Sequence, residues 1–166
     1  VFDFSNARHV RIENEEVSYL RVLWLEELPA WLSDRLVKEL TDLNMNLGVS
    51  LHISPIDQGE GLDLVKRRLA DMSIKRANET RKLTKQGLPY DLMPHELEAS
   101  YEAGVDLRHE LETSNQKLFT TTLLVGVAAS SIEELDSRCE RVIQVGNRQS
   151  CRFSTARYMQ EAAFNA

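Results

Sequence analysis

The chain has 166 residues, 42% apolar and 28% charged, which is enough for one packed core and too apolar for a disordered segment. Its net charge of −6 argues against nucleic-acid binding by the surface as a whole, and no apolar run approaches the roughly 20 residues of a membrane span. Two cysteines, Cys139 and Cys151, are too few for a disulfide framework and are expected to be separate buried thiols in a reducing cytoplasm.

The opening Val1-Phe2-Asp3-Phe4 has no initiator Met and no signal-peptide pattern. Both ends are expected to be edges cut from a longer protein. His9–Ile12 reads as an edge strand in a hairpin with Val17–Leu25, whose β-branched and aromatic residues suit a strand. Pro29 is expected to open a helix, with Leu32, Leu36, Leu40 and Leu43 on one face and a stop near Asn46–Gly48. Val49, Leu51 and Ile53 alternate with polar residues and predict a half-buried strand. Gly59-Glu60-Gly61 reads as a turn after it.

Leu62, Val65, Leu69 and Met72 then step at helical spacing. Gly87-Leu88-Pro89 breaks the pattern, and Pro94 suits the first turn of a second helix carrying Gly104, Leu107, Leu111, Ser114 and Leu118. Thr121, Leu123, Val125 and Val127 alternate as a third strand, interrupted by Gly126, where packing is the default reading. Ser130 with Glu133, or Ser131 with Glu134, offers a capping box for a helix bearing Ile132, Leu135, Cys139 and Val142. Gly146-Asn147 is expected to stop it. Cys151 and Phe153 mark a fourth strand, and Tyr158–Phe164 begins another helix.

These signals predict an α+β fold. Two βαβ units form a ferredoxin-like antiparallel sheet with helices on one face, and a long helical hairpin is inserted between them. A single domain is expected over 1–166: residues 1–57 as the first half, 58–118 as the hairpin, and 119–166 as the second half with the start of a linker.

Charge divides the hairpin. Residues 66–85 hold eight bases (Lys66, Arg67, Arg68, Lys75, Arg76, Arg81, Lys82 and Lys85) against Asp71 and Glu79, a net +6. Residues 91–112 hold seven acids (Asp91, Glu96, Glu98, Glu102, Asp106, Glu110 and Glu112) against Arg108, a net −6. Three readings of the basic arm stand open: pairing with the acidic arm, contact with anionic lipid, or contact with DNA phosphates. At the other end, Tyr158, Met159, Ala162, Ala163 and Phe164 form a small apolar set. It is expected to dock within the domain beside the fourth strand, with Phe164 as its anchor. The eight bases, Tyr158 and Phe164 are the candidate interaction residues.

No catalytic, cofactor-binding or metal-binding residue is expected in these residues. None of the seven glycines begins a Gly-x-x-x-x-Gly-Lys-Ser/Thr phosphate loop. His95 and His109 are 14 residues apart, roughly 21 Å along one helix, too far to share an ion.

Several stretches together resemble the N-terminal domain of the conjugative type IV secretion ATPases (TraE/TrbE/CagE/PrgJ type, Gram-positive branch). They are Phe4–His9, Leu25–Asp34, Leu40–Asn44, His52–Gln58, Tyr90–Pro94, and Gln160-Glu161 followed by Phe164. Ser154–Met159 departs from the aromatic, leucine-rich approach to Gln-Glu common in that family. The resemblance implies a parent ATPase, a homo-oligomer at the cytoplasmic face of the inner membrane, serving DNA transfer. ATP and Mg²⁺ would bind only beyond Ala166. This domain would be an assembly module docking on other channel proteins, peripheral to the membrane and without a transmembrane segment. The other class left open is a stand-alone ferredoxin-like binding module for nucleic acid or a small-molecule ligand. Acidic charge and the lack of aromatics on the third strand after Phe119 weigh against nucleic acid.

Overall fold

The computed structural model describes residues 1–29, 32–114 and 116–166. It is a mixed α+β structure with an antiparallel sheet of six strands among the described residues. The strands are β1 (Phe2–Asp3), β2 (Val10–Glu13), β3 (Val17–Glu27), β4 (Leu47–Pro55), β5 (Phe119–Ala129) and β6 (Arg152–Thr155). The helices are α1 (Arg35–Thr41), α2 (Gln58–Lys85), α3 (His95–Thr113), α4 (Ile132–Arg148) and α5 (Gln160–Phe164), with a 3-10 turn at Tyr90–Leu92. No helix among the described residues is long and apolar enough to cross a membrane.

The chain divides into two compact units where the sequence groups it as one domain with an insertion. The first holds Val1–His52 and Thr121–Ala166, and the second holds Ile53–Thr120. In the first unit, the strands follow the order β1-β2-β3-β5-β4, and β6 also pairs with β3. β3 therefore has β5 along one edge and two partners on the other. β2 takes its first half, Val17–Leu20, and β6 takes Leu23–Glu27.

Side chains alternate across a sheet, so odd and even positions of β3 and β5 face opposite ways. Odd positions Leu23, Leu123, Val125, Val127 and Ala129 build the main core with Leu36 and Leu40 of α1 and Leu135, Cys139, Val142 and Val145 of α4. α4 starts where Ser131 caps it, accepting from the Glu134 N–H at 3.2 Å. The Ser130 hydroxyl and N–H in turn donate to the Glu134 carboxylate, holding it below the usual carboxylate range. Both cysteines are buried and free, and burial pushes their thiols up, which keeps them protonated.

Several expectations change here. α1 begins at Arg35, not at Pro29; Leu32 stays 40% exposed, and Ala30 and Trp31 lie outside the described residues. The half-buried reading of the strand at Val49–Ile53 holds only at Val49. Leu51 and Ile53 are 52% and 57% exposed, because the core cluster reaches Val49 and goes no further along β4. Gly59 and Gly61 are not a turn but the first turn of α2, capped by the Asp57 carboxylate accepting from the Gly59 and Glu60 N–H groups.

Gly146 does not stop α4. It is buried inside the helix, where an added Cβ would stand 2.6 Å from the Phe153 ring and 3.0 Å from the Cys151 carbonyl. The stop comes at Ser150, which takes a left-handed φ of 54°. Cys151 N–H then reaches the Gly146 carbonyl, and Ser150 N–H reaches that of Asn147, the paired bonds of a Schellman end. At Gly126 the packing reading fails: an added Cβ would meet nothing within 4 Å. The two glycines should therefore respond in opposite ways. Gly146→Ala is expected to cost about 1–3 kcal/mol through overpacking. Gly126→Ala should gain about 0.5–1 kcal/mol by removing glycine from a strand interior. Urea midpoints of the two variants check both signs.

Candidate functional site

The second unit is the helical hairpin. Its core is small: Val65 and Leu69 of α2 against Leu111 of α3, with Leu62, Tyr101, Val105, Leu107 and Leu118 around them. Gly104 lies where the two helices meet, since a Cβ there would stand 2.9 Å from Leu69 Cδ2. Nearer the turn, a polar clamp replaces the apolar core. Arg76 donates to both Glu98 carboxylate oxygens at 2.8 and 2.9 Å, and its guanidinium lies 4.3 Å from the centre of the Tyr101 ring. The Tyr90 hydroxyl donates to the same carboxylate at 2.8 Å. One arginine thus ties α2 to α3 and to the 3-10 turn. Arg76 donation, followed by Tyr90 donation, holds Glu98 below its usual range, and Glu98 in turn raises the Arg76 pKa.

The eight predicted bases do not act as one set. Lys66 reaches Glu112 at 3.8 Å and Arg76 reaches Glu98, so two of them pair across the arms. Lys82 pairs with Glu79 on its own helix. Arg67, Arg68, Lys75, Arg81 and Lys85 are exposed and have no ion pair among the described residues. Charge pairing between the arms is therefore real but local, and most of the basic arm faces outward. A helix places only part of its circumference against one neighbour, and the apolar residues have taken that side.

In the first unit, Tyr158 and Phe164 part company. Tyr158 is 89% exposed at a left-handed φ of 60°, with its N–H on the Ala7 carbonyl. Met159 is also exposed. Phe164 packs against Phe2 and Phe4, with ring centres 5.1 and 5.9 Å away. It therefore meets the N-terminal segment, on the even-numbered side of the sheet.

The residue the sequence reading passed over is Gln160, 2% exposed and the one buried polar side chain among the described residues. Val22 of β3 sits between the segments paired with β2 and with β6. The Gln160 amide fills that gap. Its Oε1 accepts from the Val22 N–H at 2.9 Å, and its Nε2 donates to the Val22 carbonyl at 3.1 Å and the Ala156 carbonyl at 2.9 Å. A primary amide is both donor and acceptor, so it supplies the acceptor the Val22 N–H lacks and adds a second donor to the Val22 carbonyl, which also accepts from the Ala156 N–H at 3.1 Å. Its place in Gln160-Glu161 was the only sequence signal. Beside it, an open groove of about 510 Å³ runs along Trp24, Leu124, Ala156, Met159 and Ala162, with Thr122 and Arg157 as its polar side chains. It lacks the converging polar groups that orient a small ligand.

The fold and these surfaces define an α+β domain carrying a charged two-helix unit. No protein-family model matches the chain, and no curated protein is significantly similar to it.

Two expectations follow. Gln160→Leu leaves the buried Val22 N–H without a partner and should cost about 1–3 kcal/mol. Gln160→Glu should also destabilise at neutral pH, because a carboxylate has no proton for the Val22 and Ala156 carbonyls, and should recover as the pH falls and the acid protonates. Denaturation midpoints against pH check both. For the clamp, a carboxylate with a lowered pKa contributes stability fully above its ordinary value of 4.5, lost as the pH falls through the lowered one. Amide exchange in residues 85–97, taken relative to the intrinsic rate at each pH, is expected to quicken through that acid range. In Glu98→Gln it should be fast already at neutral pH.

Proposed function

We propose that the chain is the N-terminal assembly domain of a conjugative type IV secretion ATPase, docking on channel proteins at the cytoplasmic face of the membrane. The parent carries the ATPase chemistry, with ATP and Mg²⁺ bound outside these residues. The finer fold reading belongs with it: β6-β3-β5-β4, with α1 and α4 packed on one face, fits the ferredoxin-like split βαβ arrangement.

The observation that supports this reading best is where the resembling stretches fall. Phe4 is in the aromatic cluster with Phe164. His52–Gln58 runs from β4 through the Asp57 cap into α2. Tyr90–Pro94 forms the hairpin turn and supplies the Tyr90 hydroxyl of the clamp. Gln160 fills the gap on β3. These four of the six stretches sit at joints where residue identity has a physical consequence, as a shared architecture would require.

The hairpin turn also presents exposed Leu88, Tyr90 and Leu92, suited to contact with another protein. The test is photo-crosslinking from position 88 in the intact parent protein in cells that carry the transfer system. Crosslinks to membrane channel proteins, and loss of DNA transfer when Leu88 and Leu92 are changed to Glu, are the expected results. Normal transfer in a stably expressed double variant would refute the docking role. A separate check is calorimetry of the 166-residue chain with ATP and Mg²⁺, expected to show no binding heat.

A further inference from the structure

A groove of about 680 Å³ opens between the end of α2 and the start of α3, wholly inside the hairpin unit. Along α2, Lys75, Asn78, Lys82 and Lys85 recur at spacings of three, four and three, which puts them in one stripe over roughly 15 Å. Arg81 reaches the same groove, and Pro94 with Leu97 of α3 forms its other wall. Among the described residues, Glu79 is the only acid in that lining, and it pairs with Lys82 at 2.5 Å. Lys75, Arg81 and Lys85 are exposed and have no ion pair among the described residues. The walls are set before anything binds. Arg76, next to Lys75, grips both oxygens of Glu98, next to Leu97, at 2.8 and 2.9 Å.

We propose that this groove takes an acidic amphipathic helix from a partner protein, with its carboxylates on Lys75, Arg81 and Lys85 and its apolar edge on Pro94 and Leu97. Two antiparallel helices leave a trough that a third can fill, and a stripe of roughly 15 Å matches about ten residues of helix. Charge complementarity sets the sign of the partner. Leu97, Pro94 and the carbon stems of the lysines give it an apolar floor.

Shape and charge favour a helix over a polyanion. The site is concave, whereas a bilayer surface is flat. The close phosphates of a membrane or of DNA would also meet Glu79 in the groove and exposed Glu96 beside Leu97. A helix places single carboxylates at the bases and none at those acids. The inference deepens the docking reading: it rests on that reading for a protein partner, names what the partner must carry, and puts the contact at a site separate from Leu88 and Leu92.

The probe is a stapled helical peptide of about 14 residues, roughly 21 Å long, with Glu and Asp along one side and Leu along the other. Its fluorescence anisotropy is followed against the 166-residue chain at about 0.15 M salt, where screening reaches about 8 Å. Binding is expected, and at least about tenfold weaker when the acids of the peptide are replaced by Gln. The triple change Lys75→Gln, Arg81→Gln and Lys85→Gln should weaken it as much. The pair Arg67→Gln and Arg68→Gln, on the same helix outside the groove, should change it less than about twofold. Circular dichroism checks that the variants fold, and the comparison of the two peptides needs no variant at all.

No binding up to about 1 mM peptide overturns the proposal. So does equal binding of the acid-free peptide, or an equal loss from the Arg67 and Arg68 pair, which would mean general attraction to a basic arm. A chain that binds phosphatidylserine vesicles or duplex DNA through Lys75, Arg81 and Lys85 and ignores the peptide overturns it too, and assigns the groove to phosphates. In cells, a photo-crosslinker at position 78 of the intact parent should capture a protein segment whose acids outnumber its bases, and should lose it in the triple variant. Crosslinks from position 88 without any from 78 would sink the groove and leave the docking reading standing. An acidic segment caught at 78 from a protein outside the transfer channel would support the groove and count against the docking reading.

Discussion

β3 has to satisfy one edge with two strands that do not meet. β2 pairs with its beginning and β6 with its end, leaving the N–H of Val22 facing a gap, while its carbonyl accepts from the Ala156 N–H just past β6 at 3.1 Å. Val22 is 3% exposed, so water does not take up that N–H. The Gln160 side chain does, and in doing so it fixes where the chain after β6 must go. α5 is too short to be stable alone, with five residues, and it is held by this amide and by Phe164 against Phe2 and Phe4. The N-terminal segment, the central strand and the C-terminal helix of the first unit are joined through that one gap.

The hairpin obeys a different logic. Its apolar contacts are concentrated near the ends of α2 and α3 that lie closest to the sheet strands in sequence, at Val65, Leu69 and Leu111. Farther out, Arg76 holds Glu98, Tyr90 and Tyr101 together. A bidentate arginine pair restricts geometry more than a lysine pair does, which suits a place where little apolar area is available. With the inner faces occupied in this way, most of the charge on both arms is left pointing outward. A surface so divided is more informative about partners than about stability, because exposed charges stabilise little and orient much.

The sequence by itself determined most of the elements. The β-branched and aromatic run at Val17–Leu25 marked a strand, and the alternation at Thr121–Val127 and the helical spacing at Leu135, Cys139 and Val142 follow from the need to bury one face. The structure keeps all of them in the main core or its strands. The cap at Ser130–Glu133 or Ser131–Glu134, of which the structure takes the second, and the helical break at Gly87–Pro89 were also legible, because caps and breaks are local chemistry. What only the tertiary structure decided depends on neighbours distant in the chain. Gly146 reads as a helix stop until Phe153 is seen against it, and Gly126 reads as a packing site until the space beside it is found empty. The +6 and −6 arms suggest mutual pairing until the register shows only Lys66 and Arg76 reaching across. Gln160 looks like a surface residue in a short helix, and it becomes the buried link only because Val22, 138 positions away, has a backbone N–H with no strand to meet it.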